Sequence, residues 1–307
     1  MERRNWILLL VLAALWGASY LFIKIGLDDL TPAGVVFTRT ALAALVLVPF
    51  AVRAGGLGAV WRRAPLVIAL AAMQVAGPFI LISAGERHIA SSLAGILVAS
   101  APIFTVILAV WIDNAERVHG RGLVGVALGI AGVVLLLGVD LGGSGTALLG
   151  GVMVLLASFG YAIGAFALKR WFAGAPPIAL VTGTMSASAL LTLPLFLADL
   201  PRHVGLGPIG AMTALGIGGT GIAFVIYYTL NHAVGPTRTS LVAYVAPVFA
   251  VFYGVTLRGE SFTAATAAGI VLIVGGSWLA GNARRPPVRR QTTSPAEPAQ
   301  VLASSGR

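Results

Sequence analysis

The stretch that decides the fold is residues 88–112, HIASSLAGILVASAPIFTVILAVWI, which contains no Asp, Glu, Lys or Arg. A helix needs about 20 mostly apolar residues to cross the hydrocarbon core of a bilayer. The apolar run is continuous and does not alternate with polar residues, which favours a helix over a strand of a membrane barrel. The segment therefore predicts a membrane-spanning helix.

Nine further charge-poor stretches lie on either side of it. They cover residues 5–23, 40–52, 64–85, 122–139, 141–168, 171–198, 203–237, 239–257 and 261–283. The second extends back to residue 30 if one charge, Arg39, is accepted inside the membrane. Only 10% of the chain is charged, against roughly 25% in soluble domains, so most of its surface must face lipid. We predict an all-α integral membrane protein with ten transmembrane helices.

Positive charges divide unequally between the two sides of the predicted bundle. With a cytoplasmic N-terminus, fifteen of the 20 Lys and Arg residues lie inside, three lie outside, and Lys24 and Arg39 remain within the membrane. Positive residues accumulate on the cytoplasmic side of membrane proteins. We therefore predict a multi-pass protein of the cytoplasmic (inner) membrane with both termini in the cytoplasm. The net charge of +10 then reflects insertion, and we expect no nucleic-acid partner.

The two halves of the chain echo each other at an offset of 143–145 residues. Residues 101–106 read APIFTV and residues 246–251 read APVFAV, with Glu116 and Glu260 following the two prolines by 14 and 13 residues. A five-helix unit joined to its copy by a short loop enters the membrane upside down, which is a transporter architecture. We predict two inverted five-helix repeats, residues 1–140 and 141–283. Residues 284–307, rich in Pro, Ser, Thr and Arg, are predicted to form a disordered cytoplasmic tail.

These motifs resemble the EamA domains of the drug/metabolite transporter superfamily over about residues 5–282. The resemblance lies in the proline-centred fourth and ninth helices, the glutamates that follow them, and Leu15-Trp16-Gly17, Lys24, Pro32 and Arg39. The halves differ where Asn114-Ala115-Glu116 stands against Gly259-Glu260, and Gly183 or Thr184 stands opposite Arg39. The resemblance implies a ten-helix, exporter-like fold with a central cavity, and it does not fix the substrate.

Candidate substrate-binding residues are polar, aromatic or helix-bending side chains within the predicted spans. They are Trp16, Tyr20, Arg39, Gln74, Ser100, Pro102, Ser158, Tyr161, Thr220, Tyr227, Tyr244 and Pro247. A charge in the membrane usually faces the bundle interior or water. Arg39 therefore binds a substrate carboxylate, gates the outer mouth, or pairs structurally with backbone carbonyls, Asp28 or Asp29. Proline removes a backbone hydrogen bond, and the two prolines would free carbonyls near mid-depth.

The residues needed for catalysis, for metal binding and for proton-driven transport are missing from the predicted spans. The chain has no cysteine, and its four histidines lie in loops on both sides without metal-ligand spacing, so we expect no catalytic site, metal or cofactor. The glutamates Glu86, Glu116 and Glu260 all lie near the ends of predicted helices. Proton-driven carriers place carboxylates near the substrate, so we predict transport that does not depend on a proton gradient.

The function predicted from the sequence is export of small metabolites, such as amino acids or related amphipathic compounds, by alternating access through a central cavity. The expected partners are a small-molecule substrate and membrane lipids, and the sequence leaves monomer and homodimer open. The alternatives are a carrier of drugs, nucleosides or nucleotide sugars, a non-transporting receptor or scaffold, and a membrane-embedded enzyme.

Overall fold

The structure, a computed structural model, describes residues 2–112, 120–140 and 145–282. Every regular element within those residues is a helix. The predicted tail, residues 284–307, and Glu116 lie outside the described residues.

Ten long helices account for the ten charge-poor stretches. They are α1 (Arg3–Gly26), α2 (Pro32–Ala54), α3 (Ala64–Glu86), α4 (two segments, Ser91–Val98 and Ala101–Ile112), α5 (Arg121–Leu135, continued by a π-helical turn Leu136–Asp140), α6 (Gly145–Trp171), α7 (Pro177–Ala198), α8 (Leu206–Val234), α9 (Val242–Arg258) and α10 (Ala264–Asn282). Short helices Leu57–Trp61 and Pro236–Thr239 precede α3 and α9. Eight of the ten are long and apolar enough to cross a membrane, and α9 and the apolar part of α10 are shorter. The all-helical membrane fold predicted from the sequence is confirmed at this level.

The outer surface of the bundle is apolar. Leu45 is 69% exposed, Val271 is 70% exposed and Leu190 is 62% exposed, and all three lie within long apolar helices. Side chains of this kind are stable at a surface only when lipid covers them. The interior, in contrast, holds buried serines, threonines and the one buried arginine among the described residues. The polar groups are therefore inside the bundle.

Three helices, α3, α5 and α8, contain π-helical turns, and the turns in α3 and α8 include or adjoin candidate site residues. In α3 the turn Ala72–Ala76 precedes Pro78, which has no N–H to donate to the preceding turn. The backbone N–H of Gly77 donates instead to the carbonyl of Ala72, five residues back. In α8 the glycine-rich turn Ala214–Ile222 includes Thr220. Such wide turns shift the direction of side chains and are frequent at functional sites.

Glycines let the helices approach at backbone distance. A methyl group added at Gly17 of α1 would lie 2.5 Å from the Cβ of Phe249 on α9. One added at Gly125 of α5 would lie 2.6 Å from the carbonyl oxygen of Gly276 on α10. Both contacts join the first half of the chain to the second half, so the halves pack together along their length.

The connections between helices meet at two ends of the bundle. At one end, which we call the Glu260 end, lie residues 27–31, 87–90, 199–205 and 259–263, and the carboxylate of Asp29 accepts the N–H of Gly205 at 2.8 Å. At the other, the N-terminal end, lie residues 55–63, 172–176 and 235–241, and Arg63 donates to the carbonyl of Trp171 at 2.6 Å. Successive described connections thus lie at alternate ends.

Candidate substrate site

Arg39 is the centre of the candidate site. It lies on α2 and is buried, with 7% of its surface exposed. Its Nε donates to Oγ1 of Thr220 on α8 at 2.8 Å, and its guanidinium carbon lies 3.8 Å from the ring centroid of Phe79 on α3. The Thr220 hydroxyl donates in turn to the carbonyl of Leu215 at 2.9 Å. A hydrogen bond and a cation–π contact from two different helices therefore fix the guanidinium.

Arg39 has no carboxylate within ion-pair distance in the part of the chain that the structure describes. The sequence had left open a pairing with Asp28 or Asp29. Asp28 instead lies 3.6 Å from Arg258, and Asp29 accepts from the backbone. A buried cation is costly unless an anion or water solvates it. The structure therefore presents a guanidinium whose anionic partner is not supplied by these two aspartates.

Two tyrosines lie near this guanidinium. Tyr20 on α1 and Tyr161 on α6 are close enough to interact with the charge of Arg39. Both pack against the same apolar cluster, which includes Ile82 and Leu215, yet each keeps part of its surface exposed. The two tyrosines provide hydroxyl groups beside the Arg39 charge.

An aromatic cluster lies between Arg39 and the N-terminal end. The ring of Trp16 on α1 lies 5.6 Å from the ring of Tyr227 and 6.0 Å from that of Phe224, both on α8. Tyr228 stacks on Phe224 at 6.4 Å. Phe224 follows Thr220 by one helical turn, so the cluster sits directly next to the Arg39–Thr220 contact. Its rings form the wall of the site that faces the N-terminal end.

Serine hydroxyl groups donate hydrogen bonds to the backbone carbonyls at the break in α4. Between its two segments the hydroxyl of Ser100 donates to the carbonyl of Leu97 at 2.6 Å, and Ser158 of α6 reaches the same carbonyl at 3.3 Å. Ser277 of α10 donates to the carbonyl of Ala99 at 2.8 Å. Pro102 follows as the second residue of the second segment. The interruption therefore has hydrogen-bond partners from two neighbouring helices.

The remaining predicted residues are placed in three separate positions. Gln74 lies in the π-helical turn of α3 and packs against Gly164 of α6. Pro247 is buried inside α9. The hydroxyl of Tyr244 on α9 lies 3.5 Å from the carbonyl of Ser277 on α10.

The structure thus brings together three pairs of predicted residues. Arg39 contacts Thr220, Trp16 contacts Tyr227, and Ser100 and Ser158 share one carbonyl. The sequence analysis missed Phe79 and Phe224, which complete the surroundings of Arg39 and Trp16. Phenylalanine occurs 13 times in the chain, and only the presence of a cation or another ring nearby distinguishes these two.

Two cavities occur away from these residues. One, of about 340 Å³, lies between α1 and α9 and is lined by apolar side chains together with Tyr253. The other, of about 590 Å³, lies at the N-terminal end and is lined by polar residues that include Glu2, Arg4 and Arg238. Neither includes a predicted site residue. Among the described residues no group of three or more His, Asp or Glu side chains is placed to hold a metal ion.

An apolar-surfaced helical bundle with polar groups inside it is the architecture of a multi-pass membrane protein. The chain belongs to the EamA-like transporter family, whose sequence model matches residues 4–138 and 148–281. The family resemblance stated from the motifs is confirmed.

Known relatives agree with this class. The "Probable amino-acid metabolite efflux pump" of Escherichia coli (strain K12) is 26% identical over 293 residues, 91% of this chain and 95% of that protein. The "Probable terminal-alkyne amino-acid exporter" of Streptantibioticus cattleyicolor is 27% identical over 303 residues, 96% of this chain and 98% of that protein. A solved crystal structure shares the fold, with a TM-score of 0.66 and 22% identity over 93% of this chain and 100% of that chain.

Proposed function

We propose that this transporter exports small amino-acid-like metabolites and that Arg39 binds the substrate carboxylate. The observation that carries the proposal is a buried guanidinium, oriented by Thr220 and Phe79, without a carboxylate partner among the described residues. A guanidinium binds a carboxylate through two parallel, charge-assisted hydrogen bonds. The names of the two relatives, an amino-acid metabolite efflux pump and an amino-acid exporter, support the same substrate class.

The proposed architecture is ten membrane crossings arranged as two inverted five-helix repeats, residues 1–140 and 141–283. Support comes from the repeated APxF motif, from the two separate family matches and from the alternation of the described connections between the two ends. The excess of Lys and Arg at the N-terminal end supports a cytoplasmic location for both termini in the inner membrane. In this orientation the Glu260 end faces outward.

The proposed mechanism is alternating access, and we assign the structure to the state that is closed at the Glu260 end. There Glu260 accepts hydrogen bonds from the N-terminus of α4, and Lys24 donates to the carbonyl of Ile89 at 2.8 Å. The aromatic cluster around Trp16 separates Arg39 from the other end. Export then requires substrate to enter past these rings, bind Arg39, and leave when the contacts at the Glu260 end part.

The test is substrate flux in proteoliposomes with Arg39→Gln and Arg39→Lys. Charge-assisted hydrogen bonds contribute about 1.5–3 kcal/mol, so Arg39→Gln should lower flux of carboxylate-bearing substrates about 10- to 150-fold. Arg39→Lys should restore part of it, because an ammonium lacks the planar fork. Arg63→Gln is the matched control. Like Arg39, Arg63 combines one hydrogen bond, here to the carbonyl of Trp171, with a nearby ring, that of Phe172, but it lies at the N-terminal end.

Expression and thermal stability decide between a binding role and a structural one. With a binding role, Arg39→Gln should insert and fold like the unchanged protein, because a central arginine costs about 2.5–3.5 kcal/mol on insertion. A collapsed fold, with normal activity in the protein that survives, would contradict the proposal. Equal loss of flux for substrates without a carboxylate would also contradict it.

A further inference from the structure

Glu86 is a buried carboxyl group that has no partner in the part of the chain that the structure describes. It is the last residue of α3, its exposed surface is 0%, and neither carboxyl oxygen has a hydrogen-bond partner among the described residues. One turn earlier on α3 the hydroxyl of Ser83 is also buried and unpartnered. Phe79, a further turn back, makes the cation–π contact with the Arg39 guanidinium. One face of α3 therefore runs from the substrate site to an unsatisfied carboxyl at the Glu260 end.

The charged and polar groups around Glu86 form no hydrogen bond or ion pair with its carboxyl oxygens among the described residues. Lys24 and Tyr20 approach from α1, Arg39 from α2 and Glu260 from the connection before α10. The Lys24 ammonium donates to the backbone carbonyls of Glu86 and Ile89, and no ion pair with the Glu86 carboxylate forms. The next residues on its own chain, Arg87 and His88, are exposed.

The carboxyl is also sealed from water by close helix packing. A methyl group added at Gly85 would lie 2.7 Å from the carbonyl oxygen of Gly150 on α6, so the two backbones touch beside Glu86. The connection between α9 and α10 is held near the start of α4, because Glu260 accepts hydrogen bonds from the backbone N–H groups of Ser91 and Ser92. An ionised carboxylate without donors costs several kcal/mol in such surroundings, whereas the neutral acid costs far less.

We propose that Glu86 is a proton-binding site whose occupancy controls the Glu260 end, which links transport to protons. When that end closes, one proton from water adds to a Glu86 carboxylate oxygen, and no other bond changes. When it opens, water reaches the carboxyl, the proton leaves to water, and the nearby Lys24 charge stabilises the carboxylate. The sequence analysis placed Glu86 near a helix end and predicted gradient-independent transport, and this proposal replaces that expectation.

The first test needs no substrate. Infrared difference spectra between the unchanged protein and Glu86→Gln at neutral pH should contain the C=O band of a protonated carboxylic acid. Asp199→Asn is the matched control, because Asp199 is an exposed carboxylate at the same end, and its spectrum should contain no such band. Glu86→Leu should fold as well as the unchanged protein, since the neutral form is the native one. A carboxylate band for Glu86, or a Glu86→Leu protein that does not fold, overturns the proposal.

The second test rests on the proposed transport function. In proteoliposomes at zero membrane potential, an imposed pH gradient should change the flux of a labelled amino acid by up to about tenfold per pH unit. Glu86→Gln should retain exchange and lose the response to the gradient, while Asp199→Asn should keep both. An unchanged flux under the gradient, or a Glu86→Gln response equal to that of the unchanged protein, overturns the proton link. Absence of any amino-acid flux would contradict the proposed substrate class and leaves the infrared result to decide Glu86.

Discussion

Replacing Glu260 with alanine should open the end of the bundle at which it lies. One carboxylate oxygen of Glu260 accepts the backbone N–H and the hydroxyl of Ser91, both at 2.8 Å, and the other accepts the N–H of Ser92 at 2.9 Å. These donors lie at the N-terminus of α4, where unpaired N–H groups and the helix dipole favour an anion. Glu260 belongs to the second half of the chain and α4 to the first half, so this contact holds the halves together.

The size of the effect follows from those hydrogen bonds. Charge-assisted bonds contribute about 1.5–3 kcal/mol each when buried, and Glu260 is only partly buried. Discounting for solvent, the three bonds together favour the closed state by about 2–3 kcal/mol. Glu260→Ala should therefore raise the open fraction about 30- to 150-fold. Glu260→Gln, which retains an acceptor oxygen but no charge, should raise it less.

The absence of cysteine from the chain provides the assay. A single Ser83→Cys substitution places a thiol at a position that is 1% exposed beneath the Glu260 end, so maleimide labelling should report opening. Labelling should be slow in the otherwise unchanged protein and faster with Glu260→Ala by the factor given above. Leu200→Cys, at a residue 56% exposed at the same end, is the control and should label equally fast in both. Equal rates at Ser83→Cys would refute the reasoning.

The pH dependence of this contact has a definite sign. Burial alone would raise the pKa of Glu260, but the hydrogen bonds from Ser92 and Ser91 outweigh it and bring the pKa below its usual value. A carboxylate of this kind stabilises the closed state above its ordinary pKa and loses that effect only as pH falls through the lowered one. With Glu86→Gln present in both proteins, so that only Glu260 can titrate at this contact, the ratio of labelling rates with and without Glu260→Ala should therefore stay constant between about pH 5 and 8.

Two further predictions concern packing and orientation. Gly17→Val should lower the free energy of unfolding by about 1–3 kcal/mol or prevent folding, because the Cβ of the valine would lie 2.5 Å from the Cβ of Phe249. The control is Gly58→Ala, whose added methyl group meets nothing within 4 Å and should leave thermal stability unchanged. Reporter fusions after Arg63 should be cytoplasmic and those after Asp199 should lie outside, and a reversal of either would contradict the proposed inversion of the repeats.

The helices could be predicted from the sequence because they depend on local properties. Freedom from charge over about 20 residues marks a membrane helix whatever its neighbours are, and all ten stretches fall on helices. Arg39 and Thr220 could also be singled out, because a charge or hydroxyl inside an apolar run has to find a partner. That they would find each other, 181 residues apart in the chain, depends on the packing of α2 against α8, which no local pattern encodes.

The end of α3 shows why position along a helix is a poor guide to environment. Glu86 and Glu260 both lie at helix ends, and the sequence analysis treated them alike. Glu260 caps the N-terminus of α4, not that of the following α10. Glu86 has no such donors among the described residues, and the backbone of α6 packs against α3 beside it. The difference arises from tertiary contacts, and it changes the expected chemistry from an interfacial charge to a buried acid.

The boundary proposed near residue 140 divides the sequence into two repeats, but the two repeats do not form separately packed units in the structure. Arg39 of the first half is held by Thr220 of the second, and Glu260 of the second half caps α4 of the first. Ser277 of α10 closes the break in α4 through the carbonyl of Ala99. The site and the closed end are therefore both built at the junction of the halves. A rearrangement of one half against the other must break these hydrogen bonds together, which is what a transporter needs if opening one end is to reshape the binding site at the same time.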